Sequence, residues 1–234
     1  MYICKRNNEY ELKTKLRTAK LMILDFDGII FNLSQNYNSI EARRKLVELM
    51  IKHSFPVKKL VRSIDPFDIL CMIDKERDSE LYEKVSKILK SYEITALLKS
   101  RSIPYISELL MLLVKRDVSF CIVSLQPTDI IRHALSICSP GLVVPIFGRD
   151  SASRPKPWPD HLIACMSVNG CNTDYSIMIG DGLTDALAAK RAGISFIGIE
   201  LGLFTRYELC EYGALAVFKD IGEFLRYLRR IYSS

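Results

Sequence analysis

Leu21-Met22-Ile23-Leu24-Asp25-Phe26-Asp27-Gly28 decides how the rest of the chain is read. Four apolar residues with no polar member among them read as a strand covered on both faces. Strand side chains alternate, so Asp25 and Asp27 share one side at its carboxyl end while Phe26 points away. Gly28 lets the backbone turn sharply behind them. Two acids this close are costly unless a cation holds them.

Three later stretches place polar groups in comparable positions. Val118–Ser124 is an apolar strand closing on a hydroxyl, and Arg154-Pro155-Lys156-Pro157-Trp158-Pro159-Asp160 is a stiff loop presenting one lysine. Ser176–Gly180 is a strand followed by a second pair of acids, Asp181 and Asp185. Singly, Ser124 is a strand terminus, Lys156 a solvated lysine, and Asp181 and Asp185 turn and cap residues. Together, in this order and at strand ends, they point to one site.

At 234 residues the chain can form one core with a smaller insertion, and 49% hydrophobic with 26% charged residues is a globular composition. Its net charge of +6, from 33 basic and 27 acidic residues, is too diffuse to imply nucleic acid. Apolar runs such as Leu109–Val114 are too short to span a bilayer, and residues 1–8 lack a secretory apolar region. The expectation is therefore a cytoplasmic protein with neither nucleic-acid nor membrane partners. Seven cysteines form no C-x-x-C pair. Cys71, Cys121 and Cys165, in apolar surroundings, read as buried reduced thiols.

Beyond residue 118 short apolar strands (118–123, 142–147, 175–179, 195–199, 214–218) alternate with amphipathic helices (127–138, 158–167, 183–192, 204–212, 220–231). That alternation predicts an α/β fold, a doubly wound parallel sheet with helices on both faces. The first strand is separated from its fellows by residues 32–102, which read as helical. Ile40, Leu46, Val47, Met50 and Ile51 recur at helical spacing, as do Leu81, Val85, Ile88 and Leu89. The predicted division is 1–31 with 103–234 as the core and 32–102 as the inserted unit. Residues 1–20 read as a basic lead-in with a short helix near 10–18.

The four motifs resemble those of the haloacid dehalogenase superfamily, in its phosphatase branch. Asp25-Phe26-Asp27-Gly28 matches the first motif, Ser124 the second, Lys156-Pro157-Trp158-Pro159-Asp160 the third, and Gly180-Asp181 through Asp185 the fourth. The resemblance implies a Rossmann-like core with a helical cap, similar to phosphoglycolate-phosphatase-like members. It implies magnesium-dependent hydrolysis of a small phosphorylated metabolite through an aspartyl-phosphate. Asp25 would be the nucleophile, Asp27 the acid and then the base, and Ser124 and Lys156 the phosphoryl ligands. Mg²⁺ would rest on Asp25, Asp181 and the backbone carbonyl of Asp27, with Asp185 orienting a ligand or its water. Backbone N–H groups from Phe26 to Gly28 would add donors.

Asp27 favours phosphatase or phosphomutase, since dehalogenases lack an aspartate there and transport ATPases carry threonine. Two alternatives accompany this reading: a β-phosphoglucomutase-like enzyme, and a non-catalytic phosphate-binding regulatory protein. Leu125 stands where many relatives have asparagine, and Asn32 where many have aspartate; both bear on substrate identity. His53, His133 and His161, on separate predicted helices, are given no metal or triad role. Trp158 reads as a packing anchor, and Arg43, Arg44, Lys58, Lys59 and Arg62 as a solvated face. Hinges are expected near 31–34 and 101–104.

Overall fold

The computed structural model describes residues 1–4, 8–56, 60, 65–73, 75–151 and 154–233. Lys58, Lys59 and Arg62 lie outside them. Among the described residues the strands are β1 (Tyr2–Ile3), β2 (Leu21–Leu24), β3 (Ser119–Val123), β4 (Ile146–Phe147), β5 (Ser176–Gly180), β6 (Ser195–Ile199) and β7 (Ala214–Phe218). They form one sheet in the order β1-β7-β6-β5-β2-β3-β4, parallel except for β1. The helices are α1 (Asn8–Thr18), α2 (Ser39–Lys52), α3 (Pro66–Cys71), α4 (Ser79–Leu97), α5 (Ile106–Lys115), α6 (Thr128–Cys138), α7 (Asp160–Val168), α8 (Leu183–Ala192), α9 (Arg206–Glu211) and α10 (Ile221–Ser233).

Strand β2 shows why the sheet is doubly wound. Its alternate residues serve two cores: Met22 and Leu24 pack with α1, α5, α6 and α10, while Leu21 and Ile23 pack with α7, α8 and α9. All four are fully buried, which is the cause of the uninterrupted apolar run. The register pairs Leu24 with Ile122 of β3 on one side and Ile179 of β5 on the other. The residues that follow, Asp25, Ser124 and Asp181, therefore emerge at one end of the sheet. Crevices at such carboxyl ends are where open α/β sheets bind ligands.

Between β2 and α5 the chain builds α2, α3 and α4 around an apolar cluster of its own, including Leu46, Met50, Ile69, Leu70, Leu81, Val85 and Leu89. Each helix starts on a side-chain cap: Asn38, Asp65 and Asp78 accept the N–H groups of Glu41, Phe67 and Leu81 at 3.2, 2.9 and 3.0 Å. Helical spacing located α2 correctly but overstated its apolar face, since Ile40 and Ile51 are exposed. The two crossings into this insert lie side by side. Asn32 donates to the Arg101 carbonyl and Ile103 to the Ile30 carbonyl, both at 2.9 Å, and Phe31 bridges Ser102.

Three expectations need correction. Residues 1–20 contain a strand as well as a helix, because Tyr2 and Ile3 pair with Val217 and Ala216. The strand expected over 142–147 contracts to Ile146–Phe147, where Pro145 offers no N–H to a ladder. Cys121 and Cys165 are joined as a disulfide, as are Cys4 and Cys210, while Cys71, Cys138 and Cys171 are free. Facing side chains on β3 and α7 bring Cys121 and Cys165 together, a contact that sequence separation hides. No helix among the described residues is long and apolar enough to cross a membrane.

Candidate active site

Four predicted residues converge on the sheet's carboxyl end. The Lys156 ammonium lies 2.7 Å from Asp25 Oδ1 and also donates to Asp185 Oδ1. Lys156 is 1% exposed, so its charge is answered by these acids rather than by water. Asp181 completes the group: Asp25, Asp181 and Asp185 each offer an oxygen within 4.8 Å of the others. Three carboxylates thus face one ammonium.

The imbalance appears in their protonation. Burial pushes the Asp25 carboxyl up to about 7, helped by the charge of Asp185 and resisted by Lys156 and the Phe26 N–H. Asp181 is raised well above the ordinary carboxylate range by loss of water and then by the Asp25 and Asp185 charges. Burial alone would lower Lys156, but Asp185 and Asp25 outweigh it and hold the ammonium charged. The acids are the strained side of this group.

Backbone shape sets the spacing. Gly28 has φ +79°, and a Cβ on it would run into the Asp181 carboxylate. A Cβ on Gly202, in the loop after β6, would strike the same carboxylate, and one on Gly180 would strike Asp185. Asp185 sits at the third position of α8, where its other oxygen accepts the Gly182 N–H at 3.1 Å. Asp181 accepts no hydrogen bond from a described residue, so its oxygens are open to a ligand.

An oxygen-only donor set with surplus negative charge, enclosed by glycine backbone, fits a hard divalent cation such as Mg²⁺. Asp25 and Asp181 are the better donors. Asp185, already engaged by Lys156 and Gly182, suits an orienting part.

Asp27 and Ser124 follow β2 and β3 at the same end of the sheet, each with hydrogen-bond partners in its own loop. Asp27 Oδ1 accepts the N–H groups of Leu33 and Ser34 at 2.9 and 3.1 Å, at the start of the insert. Its carboxyl is raised to about 6 by burial, against the pull of those bonds. Ser124 Oγ donates to Gln126 Oε1 and accepts the Gln126 N–H at 3.2 Å. Of the extra donors expected near Phe26 and Gly28, Phe26 N–H turns to Asp25 Oδ1 at 2.7 Å and Gly28 N–H to the Phe31 carbonyl at 2.9 Å. Gly28 is therefore not a free donor.

The lysine loop is braced from outside. Trp158 is 41% exposed and lies between the guanidiniums of Arg154 and Arg191, at 4.8 and 4.6 Å from its ring centre. It anchors the loop by cation–π contact rather than by burial in an apolar core. Arg154 also holds Asp160 through two bonds of 2.9 Å. Cys71, from the end of α3, donates to the Lys156 carbonyl at 3.3 Å, so the insert touches this loop directly. His161 is buried with both ring nitrogens unpartnered, and burial beside Lys156 lowers it to about 4.

Residues 22–199, most of the chain, match the haloacid dehalogenase-like hydrolase family. The chain belongs to that family. It is 27% identical over 150 residues to the phosphoglycolate phosphatase of Rhodospirillum rubrum, covering 63% of this haloacid dehalogenase-like chain and 61% of that protein. It is 28% identical over 161 residues to the phosphoglycolate phosphatase of Colwellia psychrerythraea, covering 68% of this chain and 71% of that protein. Measured against the first of these relatives, the chain thus spans less than two thirds of its length.

Solved structures share the fold. A hydrolase from Pseudomonas syringae superposes with a TM-score of 0.68 at 24% identity, over 91% of this chain and 99% of that one. A family hydrolase from Deinococcus radiodurans, solved with bound phosphate and sodium, gives 0.63 at 16% identity, over 92% and 97%.

Sequence reasoning missed Gln126, Arg149 and Glu93. Glu93 had a signal: it extends the buried stripe Leu81, Val85, Leu89 by one more turn, and an acid on such a stripe needs a buried partner.

Proposed function

We propose that this family member is a phosphatase that hydrolyses a small phosphate monoester through an aspartyl-phosphate on Asp25. The reading rests chiefly on one observation: Lys156 is buried between Asp25 and Asp185, with Asp181 alongside, while Asp27, two residues after Asp25, turns its carboxylate to the Leu33 and Ser34 N–H groups. These different partners support a division of roles. A cation offsetting the neighbouring acids would leave Asp25 charged beside the Lys156 ammonium and able to attack phosphorus, while Asp27, raised to about 6, can give and take a proton near neutral pH.

In this mechanism Asp25 attacks the phosphoryl group and the ester oxygen leaves with the proton of Asp27. Asp27, now ionised, deprotonates the water that hydrolyses the aspartyl-phosphate. Lys156 and the Ser124 hydroxyl hold phosphoryl oxygens, the first neutralising charge and the second fixing orientation. A magnesium ion held by Asp25, Asp181 and the Asp27 backbone carbonyl, with Asp185 beside it, would supply further charge neutralisation.

The insert, taken as residues 32–102, would act as a cap over the crevice, with residues 1–31 and 103–234 as the core. Covering the crevice favours small phosphorylated metabolites, and the phosphoglycolate phosphatases named above support that class. Phosphate release from an aryl phosphate tests the reading: magnesium should sustain it, chelation should abolish it, and Asp27→Asn should slow an alkyl phosphate by about 10²–10⁴-fold. Undiminished release after exhaustive chelation would overturn the mechanism. Isomerised sugar phosphate in place of free phosphate, with a hexose phosphate as substrate, would establish a mutase instead.

A further inference from the structure

Arg149 is fully buried, lies outside the strand-end acid group, and has every donor engaged. It follows β4, in a loop whose glycine neighbour, Gly148, leaves no room for a Cβ against the Gln126 carbonyl and the Thr128 N–H. On the side of the insert, Arg149 Nη1 and Nη2 grip Glu93 of α4 at 2.6 and 2.9 Å. Nε donates to the Ser86 hydroxyl at 2.8 Å and Nη2 to the Ser86 carbonyl at 2.9 Å. The Arg149 carbonyl accepts the Tyr82 hydroxyl and the Lys75 ammonium, both at 3.1 Å. On the side of the core, Nη1 donates to the Leu125 carbonyl at 2.8 Å and the Arg149 N–H to the Gln126 carbonyl at 3.1 Å. Leu125 and Gln126 directly follow Ser124, and the Gln126 amide is what fixes the Ser124 hydroxyl.

The five guanidinium hydrogens thus span two bodies: four point to the insert and one to the loop that carries Ser124. We propose that Arg149 is a positioning residue that couples seating of the insert to placement of the Ser124 hydroxyl. The proposal rests on the reading of Ser124 as a phosphoryl ligand. Lifting α4 would remove Glu93 and Ser86 from the guanidinium, and an arginine buried without its carboxylate must move toward water. Its movement takes the donor from the Leu125 carbonyl and loosens the turn that presents Ser124. By reciprocity, a phosphoryl group held at Ser124 favours the seated insert. Lysine could not replace Arg149, since three donors on one nitrogen cannot meet Glu93, Ser86 and Leu125 in this plane.

Inorganic phosphate is the probe, with its dissociation constant measured by calorimetry in the presence of magnesium. Glu93→Gln keeps the side-chain shape and one acceptor, and should weaken phosphate by about fivefold or more. The same change in a Ser124→Ala background should cost little further, because the group it positions is gone. Arg149→Lys should repeat the pattern. Equal losses in both backgrounds would show a merely structural pair and overturn the proposal, as would unchanged affinity in Glu93→Gln or absence of phosphate binding by the parent chain. Turnover is not needed for this readout. Coupled phosphate binding without catalysis would sink the phosphatase reading and leave this one standing.

Discussion

The strand-end group around Lys156 and the Arg149–Glu93 pair are both withdrawn from water, yet their charges are matched differently. Around Lys156 three carboxylates share one ammonium, and two of them are driven toward the protonated form. At Arg149 one acid meets one base, both at 0% side-chain exposure, with all five donors used. The first arrangement is unfavourable by itself and becomes favourable when a cation and a phosphoryl group join it. The second is complete as it stands and needs no ligand of its own. Surplus charge marks the place of chemistry, and matched charge marks the place of assembly.

The comparison breaks most decisively at Asp25. Asp25→Asn should lower phosphate release by more than about 10⁴-fold, as expected when a nucleophile is lost. Its urea midpoint should stay at or above that of the parent, since Lys156 keeps Asp185. A large loss of stability would show that the strand-end group is structural after all. Next comes the matched pair. Glu93→Ala strands Arg149 and should cost about 3–5 kcal/mol in unfolding free energy, whereas Glu93→Leu with Arg149→Met should recover most of it. Failure of the double variant to recover would mean that the Ser86 and Leu125 contacts, rather than the charges, carry the stability.

The smallest effect is a pH dependence. Asp25 and Asp181 titrate higher folded than unfolded, so the folded chain binds more protons between about pH 4 and pH 7. Their influence on stability is therefore best at low pH and is lost as pH rises through the folded values. Without metal, Asp181→Asn should gain on the order of 1 kcal/mol over the parent at pH 8, and less at pH 5. A larger gain at pH 5 would reverse the assignment of surplus charge.

Much of this arrangement was legible because it is local. Leu21–Leu24 signals a doubly covered strand, and Asp25, Lys156, Asp181 and Asp185 each follow a strand or a stiff loop that fixes where they point. What escaped depended on contacts across the chain. Arg149 and Glu93 are 56 residues apart, and nothing near Arg149 distinguishes it from a loop arginine. The Cys121–Cys165 pairing, the Tyr2–Ile3 strand and the Gly202 backbone against Asp181 are likewise products of tertiary approach. Ile40 shows the opposite limit: its spacing was right for a buried helix face, but no neighbour came to cover it.

The sheet's borders carry a consequence for how copies of this chain meet. Its outermost members, β1 and β4, are only two residues long. A strand from another molecule would find little backbone on either border to pair with, the condition under which sheets resist growing into one another. Crowding many copies should therefore not favour edge-on stacking, even though the interior strands are apolar enough to drive it if they were laid bare.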